Sequence, residues 1–240
     1  MIQPKTPEAT PISKEVTILL PTLNEEEAIG RALADIPVQD LREAGYVVTV
    51  LVVDGESTDK TVAIASEKGA RVVVTARGYG RQYRLGFAEA PGDIIVTADS
   101  DGSYPLEDIL PLIQQLEHDH LDFITTNRFA DMEPGSMHPL NRIGNFILTF
   151  LINHLFKLHL KDSQSGMWVI RKSALSRMRL TAEGMSLSGE IKIVAFESVN
   201  AREIDSGYKK RLGTVKLKRF RDGWGILIHL YKMKWERIIR

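Results

Sequence analysis

Residues 93–105 read DIIVTADSDGSYP, a short apolar run that leads into Asp99 and Asp101. An apolar run of this length between polar turns is typical of a buried β-strand. The two aspartates flank a single residue, and in an extended loop that spacing aims both carboxylates at one bound cation. Mg²⁺ and Mn²⁺ prefer such oxygen ligands. A plain acidic turn is the alternative, because aspartate is common in turns.

The same order of strand, polar turn and helix repeats along the chain. Further apolar runs occur at residues 16–20, directly before Asp54, at 71–75 and at 121–128, with helical patterns between them. Strands that alternate with helices predict an α/β fold, in which a mostly parallel central sheet has helices on both faces. We expect these elements to form one domain over residues 15–221.

The predicted elements outside this repeat are fewer. An amphipathic helix is expected over residues 139–158, a short strand over 167–171, a helix over 188–198 and a basic C-terminal helix over 222–240. Residues 1–14 are rich in Pro and Thr and lack the apolar core of a signal peptide, so we expect a disordered lead-in and a cytoplasmic location.

Composition limits the chemistry. The 240 residues are 43% hydrophobic and 26% charged, and they include no cysteine. A disulfide framework and a thiolate metal site are therefore excluded, and a bound metal must use oxygen or imidazole ligands. We expect no nucleic-acid partner, and nothing in the sequence indicates an oligomeric state.

The net charge of zero hides a basic C-terminus. From Gly207 onward there are 11 Lys and Arg against 2 Asp and Glu. This block is either a solvated face or a surface that approaches phosphates on a substrate or membrane. The helix over 139–158 is too short and too polar to span a bilayer, so it is either a buried amphipathic helix or an interfacial one. If the protein meets a membrane surface, the two features would provide two weak attachment signals, the combination that reversible peripheral binding requires.

Polar residues cluster where the predicted strands end, at 21–25, 54–59, 99–103 and 127–128. Ligands of parallel α/β sheets bind at the carboxyl ends of the strands, so these clusters should share one edge. Asp54 either accepts hydrogen bonds from a nucleobase or ribose, or caps a turn.

Two further segments have open roles. Asn24 and Glu25 either contact a ligand or begin a helix. Arg77, Arg81 and Arg84 recur at helical spacing, which suits either a diphosphate or an exposed basic face.

Five motifs carry a resemblance to a known family: VTILLPTLNEEEAIG, VLVVDGESTDKT, DIIVTADSDGSYP, KDSQSGMWVIRKSAL and YKKRLGTVKLKRFRDGW. In order and spacing the chain resembles family-two glycosyltransferases with the GT-A (Rossmann-like) fold, particularly the polyprenyl-phosphate (dolichyl-phosphate) hexosyltransferase branch. The resemblance implies inverting transfer of a hexose from a nucleotide sugar, of the GDP-mannose or UDP-glucose type, to a polyprenyl or dolichyl phosphate. The alternatives are a soluble acceptor or a non-catalytic nucleotide-sugar binding module.

The resemblance also implies roles for individual residues on the donor side. Pro21, Asn24, Glu25 and Asp54 would line the nucleotide pocket. Apart from the resemblance, its spacing on the helix makes Arg81 a candidate for binding the donor diphosphate. Asp99 and Asp101 would hold a Mg²⁺ or Mn²⁺ ion, with Asp101 counted among the catalytic residues. Ser103 stands where relatives often carry glutamine.

On the acceptor side, Arg128 would contact the acceptor phosphate near the reaction centre, and Arg142 and Glu190 are further acceptor-binding candidates. Asp162 and Gln164 match positions near the acceptor. Asp162 is either a general base for a hydroxyl acceptor or part of a plain turn. The tail residues Tyr208, Lys209, Arg211, Lys216 and Arg221 would approach the diphosphate, a lipid phosphate or anionic headgroups.

Overall fold

A computed structural model describes residues 14–213 and 219–239, and for residues 219 and 220 the backbone alone. The predicted lead-in, apart from Lys14, and Lys216 lie outside these ranges. The strands are β1 Glu15–Thr22, β2 Val47–Asp54, β3 Arg71–Val74, β4 Ile94–Thr97, β5 Phe123–Met132, β6 Trp168–Arg171 and β7 Ala201–Tyr208. The α-helices are α1 Ile29–Ala34, α2 Val38–Glu43, α3 Thr61–Glu67, α4 Tyr79–Glu89, α5 Ile109–His118, α6 Pro139–Phe156, α7 Leu187–Ser198 and α8 Arg219–Ile238.

The strands form one mostly parallel sheet in the order β3-β2-β1-β4-β6-β5-β7, in which β6 runs antiparallel to both of its neighbours. The prediction of a single α/β unit is thereby confirmed. Strand β7 and helix α2 were not predicted. The β7 sequence AREIDSGY contains no apolar run, because the strand lies at the edge of the sheet and is mostly half-exposed.

The core has two layers, one on each face of the sheet. In β1, Val16, Ile18 and Leu20 pack on the face covered by α1, α2, α3 and α5. Leu19 points to the opposite face, where α4, α6, α7 and α8 pack. Helix α4 lies very close to β1, since a Cβ atom at Gly86 would be 2.4 Å from the Leu19 side chain. Successive side chains of β1 therefore point to opposite faces of the sheet, and each face is covered by helices, as predicted.

The direction of β6 decides which loops meet. Strands β1, β2 and β4 are parallel, so the loops that follow them share one edge. Trp168, the first residue of β6, pairs with Thr97, the last residue of β4. The segment that precedes β6 therefore reaches the same edge. Strand β5 pairs with β6 at Thr125 and continues past it, which brings Arg128 there as well.

Helices α6 and α8 pack against each other on one face of the domain. Helix α6 spans nearly the predicted range. Helix α8 begins at Arg219, before the predicted boundary at residue 222, and it also contacts α7. Among the described helices, none is long and apolar enough to cross a membrane.

Candidate active site

An open cleft of about 850 Å³ lies at the carboxyl edge of β1 and β4. Its walls come from the loops after these strands, the start of α4, the segment before α7 and the tail. The lining residues are 21–25, 77–79, Gln82, 99–101, 184–185, Arg211 and 221–222. Eight residues that the sequence singled out line the cleft, namely Pro21, Asn24, Glu25, Arg77, Asp99, Asp101, Arg211 and Arg221. The other candidates among the described residues do not line it.

Asp99 is partly exposed to the cleft and is surrounded by protein on its other sides. Burial, followed by the charge of Asp101, raises the pKa of Asp99 to about 7, although Arg128 and Arg211 act in the opposite direction. A carboxylate in this setting is stabilised by added positive charge.

Asp101 is held more firmly. Its Oδ1 atom accepts hydrogen bonds from the backbone N–H of Ser103, at 2.9 Å, and from the Ser103 hydroxyl. Its Oδ2 atom lies 3.3 Å from Nη1 of Arg211. The hydroxyl of Ser100 donates to the carbonyl of Pro21 at 3.0 Å, which fastens this loop to the end of β1. Asp101 therefore presents one carboxylate oxygen toward the cleft in a fixed orientation.

Asp54 is used in a turn. Its Oδ2 atom accepts a hydrogen bond of 2.7 Å from the backbone N–H of Ser57, and its Oδ1 atom accepts from the hydroxyls of Ser57 and Thr22. The side chain is buried and does not line the cleft. Of the two roles open to Asp54 from the sequence, this geometry fits the turn.

Asn24 joins the loop after β1 to the loop after β2. It has a left-handed backbone conformation, with φ of 50°. Its backbone N–H donates to the Ser57 hydroxyl at 2.8 Å, and its side-chain carbonyl accepts from the N–H of Thr58 at 2.7 Å. The neighbouring N–H of Glu25 donates to Thr61 at 2.7 Å. These hydrogen bonds hold the cleft wall at the end of β1, where the sequence analysis predicted a cluster of polar site residues.

Of the three arginines at helical spacing, Arg77 precedes α4, and Arg81 and Arg84 lie on it. Arg77 lines the cleft. Arg81 forms an ion pair with Glu183 outside it, and Arg84 donates to the carbonyl of Thr181. Sequence reasoning missed Gln82, whose buried amide donates to the carbonyls of Thr22 at 2.7 Å and Val53 at 2.8 Å. Its position on α4 opposite the ends of β1 and β2 gives it this role.

Arg128 and Asp162 form a buried ion pair that does not line the cleft. Nε and Nη2 of Arg128 donate to the two carboxylate oxygens at 2.6 and 2.9 Å. Asn145 donates to the same carboxylate at 2.8 Å, and Lys192 donates to the Asp162 backbone carbonyl at 2.7 Å. The guanidinium carbon of Arg128 also lies 5.1 Å from the centre of the Tyr208 ring.

This pairing decides the protonation of Asp162. Burial alone would raise the pKa of its carboxyl, but the charge and hydrogen bonds of Arg128 outweigh burial and hold the pKa well below its usual range. A carboxylate that is so strongly bonded is a poor proton acceptor. The backbone N–H of Gln164 adds a further bond to it at 3.0 Å. Asp162 is therefore suited to holding Arg128 and its own loop in place.

Arg142 and Glu190 lie away from the cleft lining. Arg142 is exposed on α6, with its guanidinium 6.0 Å from the Phe129 ring centre. Glu190 is buried at the start of α7, and its carboxylate accepts from the backbone N–H groups of Thr181 and Ala182. Nε2 of His229 on α8 lies 3.3 Å from the same carboxylate. Glu190 thus ties α8 and the segment before α7 together.

Comparisons with known proteins agree with this arrangement. The family model described as Glycosyl transferase family 2 matches residues 17–179. The chain belongs to this family. The low-salt glycan biosynthesis hexosyltransferase Agl6 of Haloferax volcanii is 32% identical over 219 residues, covering 89% of this chain and 52% of Agl6. The chain thus spans about half the length of that relative.

Two further similarities bear on branch and fold. A dolichyl-phosphate hexose transferase of Haloferax volcanii is 33% identical over 229 residues, covering 94% of this chain and 96% of the relative. The resemblance to the polyprenyl-phosphate hexosyltransferase branch is thereby confirmed. Glucosyl-3-phosphoglycerate synthase of Mycobacterium tuberculosis, solved with Mn²⁺, UDP and glucosyl-3-phosphoglycerate, superposes with a TM-score of 0.75 at 21% identity. That structure covers 92% of this chain, which covers 80% of it, and the likeness confirms the fold.

Proposed function

We propose that this protein transfers a hexose from a nucleotide sugar, of the GDP-mannose or UDP-glucose type, to a polyprenyl or dolichyl phosphate. The observation that carries the proposal is the position of Asp99 and Asp101 together on the wall of the cleft. Membership of glycosyl transferase family 2 supports the reaction class. The name of the dolichyl-phosphate relative supports the acceptor class.

The donor site suits a divalent cation. Asp99 and Asp101 supply hard oxygen ligands, and burial of Asp99 favours a neutralising charge beside it. Among the described residues no group of three or more His, Asp or Glu side chains is arranged to hold a metal by itself. Mg²⁺ and Mn²⁺ commonly complete their shells with water and substrate phosphates, which fits a site of two carboxylates. A bound Mg²⁺ or Mn²⁺ would supply Lewis-acid stabilisation of the leaving diphosphate.

The cleft walls divide the remaining donor contacts. Pro21, Asn24 and Glu25 form a rigid wall for the nucleotide, because hydrogen bonds to the loop after β2 hold it. Arg77, which also lines the cleft, would offer a guanidinium fork to the diphosphate. In this proposal Asp54 and Arg81 act indirectly, through the turn at Ser57 and the pair with Glu183.

Arg128 is proposed to attract the acceptor phosphate. A phosphate monoester is already ionised at neutral pH, so it needs positive charge and alignment more than a general base. Asp162 fixes the guanidinium by two hydrogen bonds, and Gln164 helps to hold Asp162. An aligned phosphate oxygen then displaces the nucleoside diphosphate in line, which inverts the sugar carbon. Arg142, at the exposed start of α6, is a second cation for the incoming phosphate.

A lipid acceptor requires contact with a membrane surface, and α6 and α8 offer one. On α6, Leu140, Ile143, Phe146, Ile147 and Phe150 are exposed at helical spacing. On α8, Trp224, Ile228, Tyr231, Trp235 and Ile238 form a second exposed stripe. Apolar stripes of this kind, next to basic residues such as Lys232, are typical of interfacial helices. We propose that both stripes contact the bilayer.

Calorimetric titration with UDP and GDP, with and without Mn²⁺, tests the donor half of the proposal. We expect one nucleotide to bind in a Mn²⁺-dependent manner, and Asp101→Asn to lose that dependence. Equal binding with and without Mn²⁺ would refute the metal assignment. Donor binding without turnover on any acceptor would favour a non-catalytic binding module. Turnover on a soluble acceptor without lipid would favour the soluble-acceptor alternative.

A further inference from the structure

Arg211 extends from the tail into the cleft and contacts two acidic side chains there. Its Nη1 atom lies 3.3 Å from Oδ2 of Asp101, and its Nη2 atom donates to Oε1 of Glu25 at 3.1 Å. The Arg211 side chain is 24% exposed, and both carboxylates are buried to less than 10% exposure. The guanidinium therefore bridges carboxylates from the loops that follow β4 and β1.

The backbone around Arg211 is fastened to the same loop. The N–H of Leu212 donates to the carbonyl of Asp101 at 2.8 Å, and the N–H of Lys209 donates to the carbonyl of Ser103 at 2.8 Å. These two bonds lie on either side of Arg211 in sequence. Backbone hydrogen bonds thus fix the segment that carries Arg211, in addition to the contacts of its side chain.

Arg211 contacts the carboxylate oxygen of Asp101 that is available to a bound cation, Oδ2. Oδ1 of Asp101 is already bonded to Ser103, so Oδ2 is the oxygen that faces the cleft. A divalent ion held by Oδ2 would have to share the space that the Arg211 guanidinium now occupies beside this oxygen. Two positive charges at such close range repel each other.

We infer that Arg211 is a resident counter-ion of the metal site, which neutralises Asp101 and its acidic surroundings until a divalent cation displaces it. The inference rests on the metal role proposed for Asp99 and Asp101. It adds that cation binding and release of the Arg211 segment are one coupled event. The guanidinium must leave Oδ2 when the ion arrives, and by linkage the seated segment weakens cation binding.

The other arginines of the cleft lack this arrangement. Arg221 contacts Asp222, its neighbour in sequence, at 3.3 Å. Arg77 lines the cleft without an ion pair to Asp99 or Asp101 among the described contacts. Lys210 is next to Arg211 and is exposed, and it does not line the cleft. Lys210 therefore provides a control for loss of one positive charge from the same segment.

The test is a Mn²⁺ titration followed by electron paramagnetic resonance, without nucleotide, on the full chain. Arg211→Ala should bind Mn²⁺ about tenfold more tightly than the wild type, the change expected from removing one charge-assisted pair. Arg211→Lys should lie between the two, because a lysine keeps the charge but cannot bridge two carboxylates with a fork. Lys210→Ala should bind like the wild type.

Amide hydrogen exchange is a second measurement. If Arg211 only changed the electrostatic potential at the site, the exchange rates of its segment would not respond to Mn²⁺. In the wild type, Mn²⁺ alone should speed exchange of the Leu212 amide, because release of Arg211 loosens its bond to Asp101. Equal Mn²⁺ affinity of wild type and Arg211→Ala, or unchanged Leu212 exchange, would overturn the inference. So would Lys210→Ala matching Arg211→Ala. Absence of Mn²⁺ binding to every variant would overturn the proposed metal site as well.

Discussion

The Arg128 guanidinium binds both carboxylate oxygens of Asp162, and the two residues are 34 positions apart in the chain. Asp162 is fully buried, and Arg128 nearly so. Because an unpaired buried charge is costly, each residue depends on the other for its place in the fold.

Asp162→Asn should destabilise the protein by about 3–5 kcal/mol, because it leaves the Arg128 charge buried without its partner. Urea denaturation at pH 7 measures the change. Asp35→Asn is the matched control, since Asp35 forms an exposed pair with Arg31 at 3.6 Å. That control should lose less than about 0.5 kcal/mol. Similar losses in both variants would contradict a structural role for the buried pair.

The same carboxylate predicts a dependence of stability on pH. The pKa of Asp162 is lowered in the folded protein, so its stabilising contribution is present above the unfolded pKa of about 3.9 and is lost as the pH falls. The difference in unfolding free energy between wild type and Asp162→Asn should shrink as the pH falls below about 4. A constant difference down to pH 3 would show that the Asp162 charge is not the source.

Much of the fold could be predicted from sequence because its central strands are short apolar runs bounded by turns. Strand β7 lacks that signal. It is held beside β5 by parallel backbone pairing from Ala201 to Tyr208, and few of its own side chains are buried. Helix α2 has six residues, too few to show a clear helical period.

The site was only partly predictable for a related reason. Five residues lie at the ends of parallel strands or just after them, so their convergence could be predicted: Pro21, Asn24, Glu25, Asp99 and Asp101. The pairing of Arg128 with Asp162 could not, because it depends on β6 entering the sheet antiparallel. The approach of Arg211 to Asp101 joins positions 110 apart, and no local pattern encodes it.

Asp101→Asn should lower kcat by about a hundredfold or more, since in the proposed function Asp101 is a metal ligand that helps to offset the charge of the leaving diphosphate. The fold should be unaffected, and the unfolding midpoint provides that check. Asp40→Asn makes the same change at an exposed position of α2 and should leave kcat unchanged. Full activity of Asp101→Asn at limiting Mn²⁺ would argue against its role as a metal ligand.

Replacing Phe146 and Phe150 by serine should weaken binding to anionic phospholipid vesicles. These side chains are 73% and 61% exposed, so the fold should lose little stability, whereas the proposed membrane contact should lose roughly tenfold in affinity per phenylalanine. Vesicle co-sedimentation measures the change. Val74→Ser removes an apolar side chain that is 57% exposed at the end of β3, and it should sediment like the wild type. Unchanged sedimentation of the double variant would remove α6 from the proposed membrane surface.

Transfer of label from nucleotide sugars to lipid tests the central claim most directly. The purified protein would be incubated with Mn²⁺, polyprenyl phosphate and a panel of radiolabelled nucleotide sugars, with 3-phosphoglycerate as the soluble acceptor in a parallel series. The proposed function predicts that one donor labels the organic phase, that labelling requires both Mn²⁺ and the lipid phosphate, and that Asp101→Asn abolishes it. Labelling of 3-phosphoglycerate in place of the lipid, or no transfer from any donor, would contradict it.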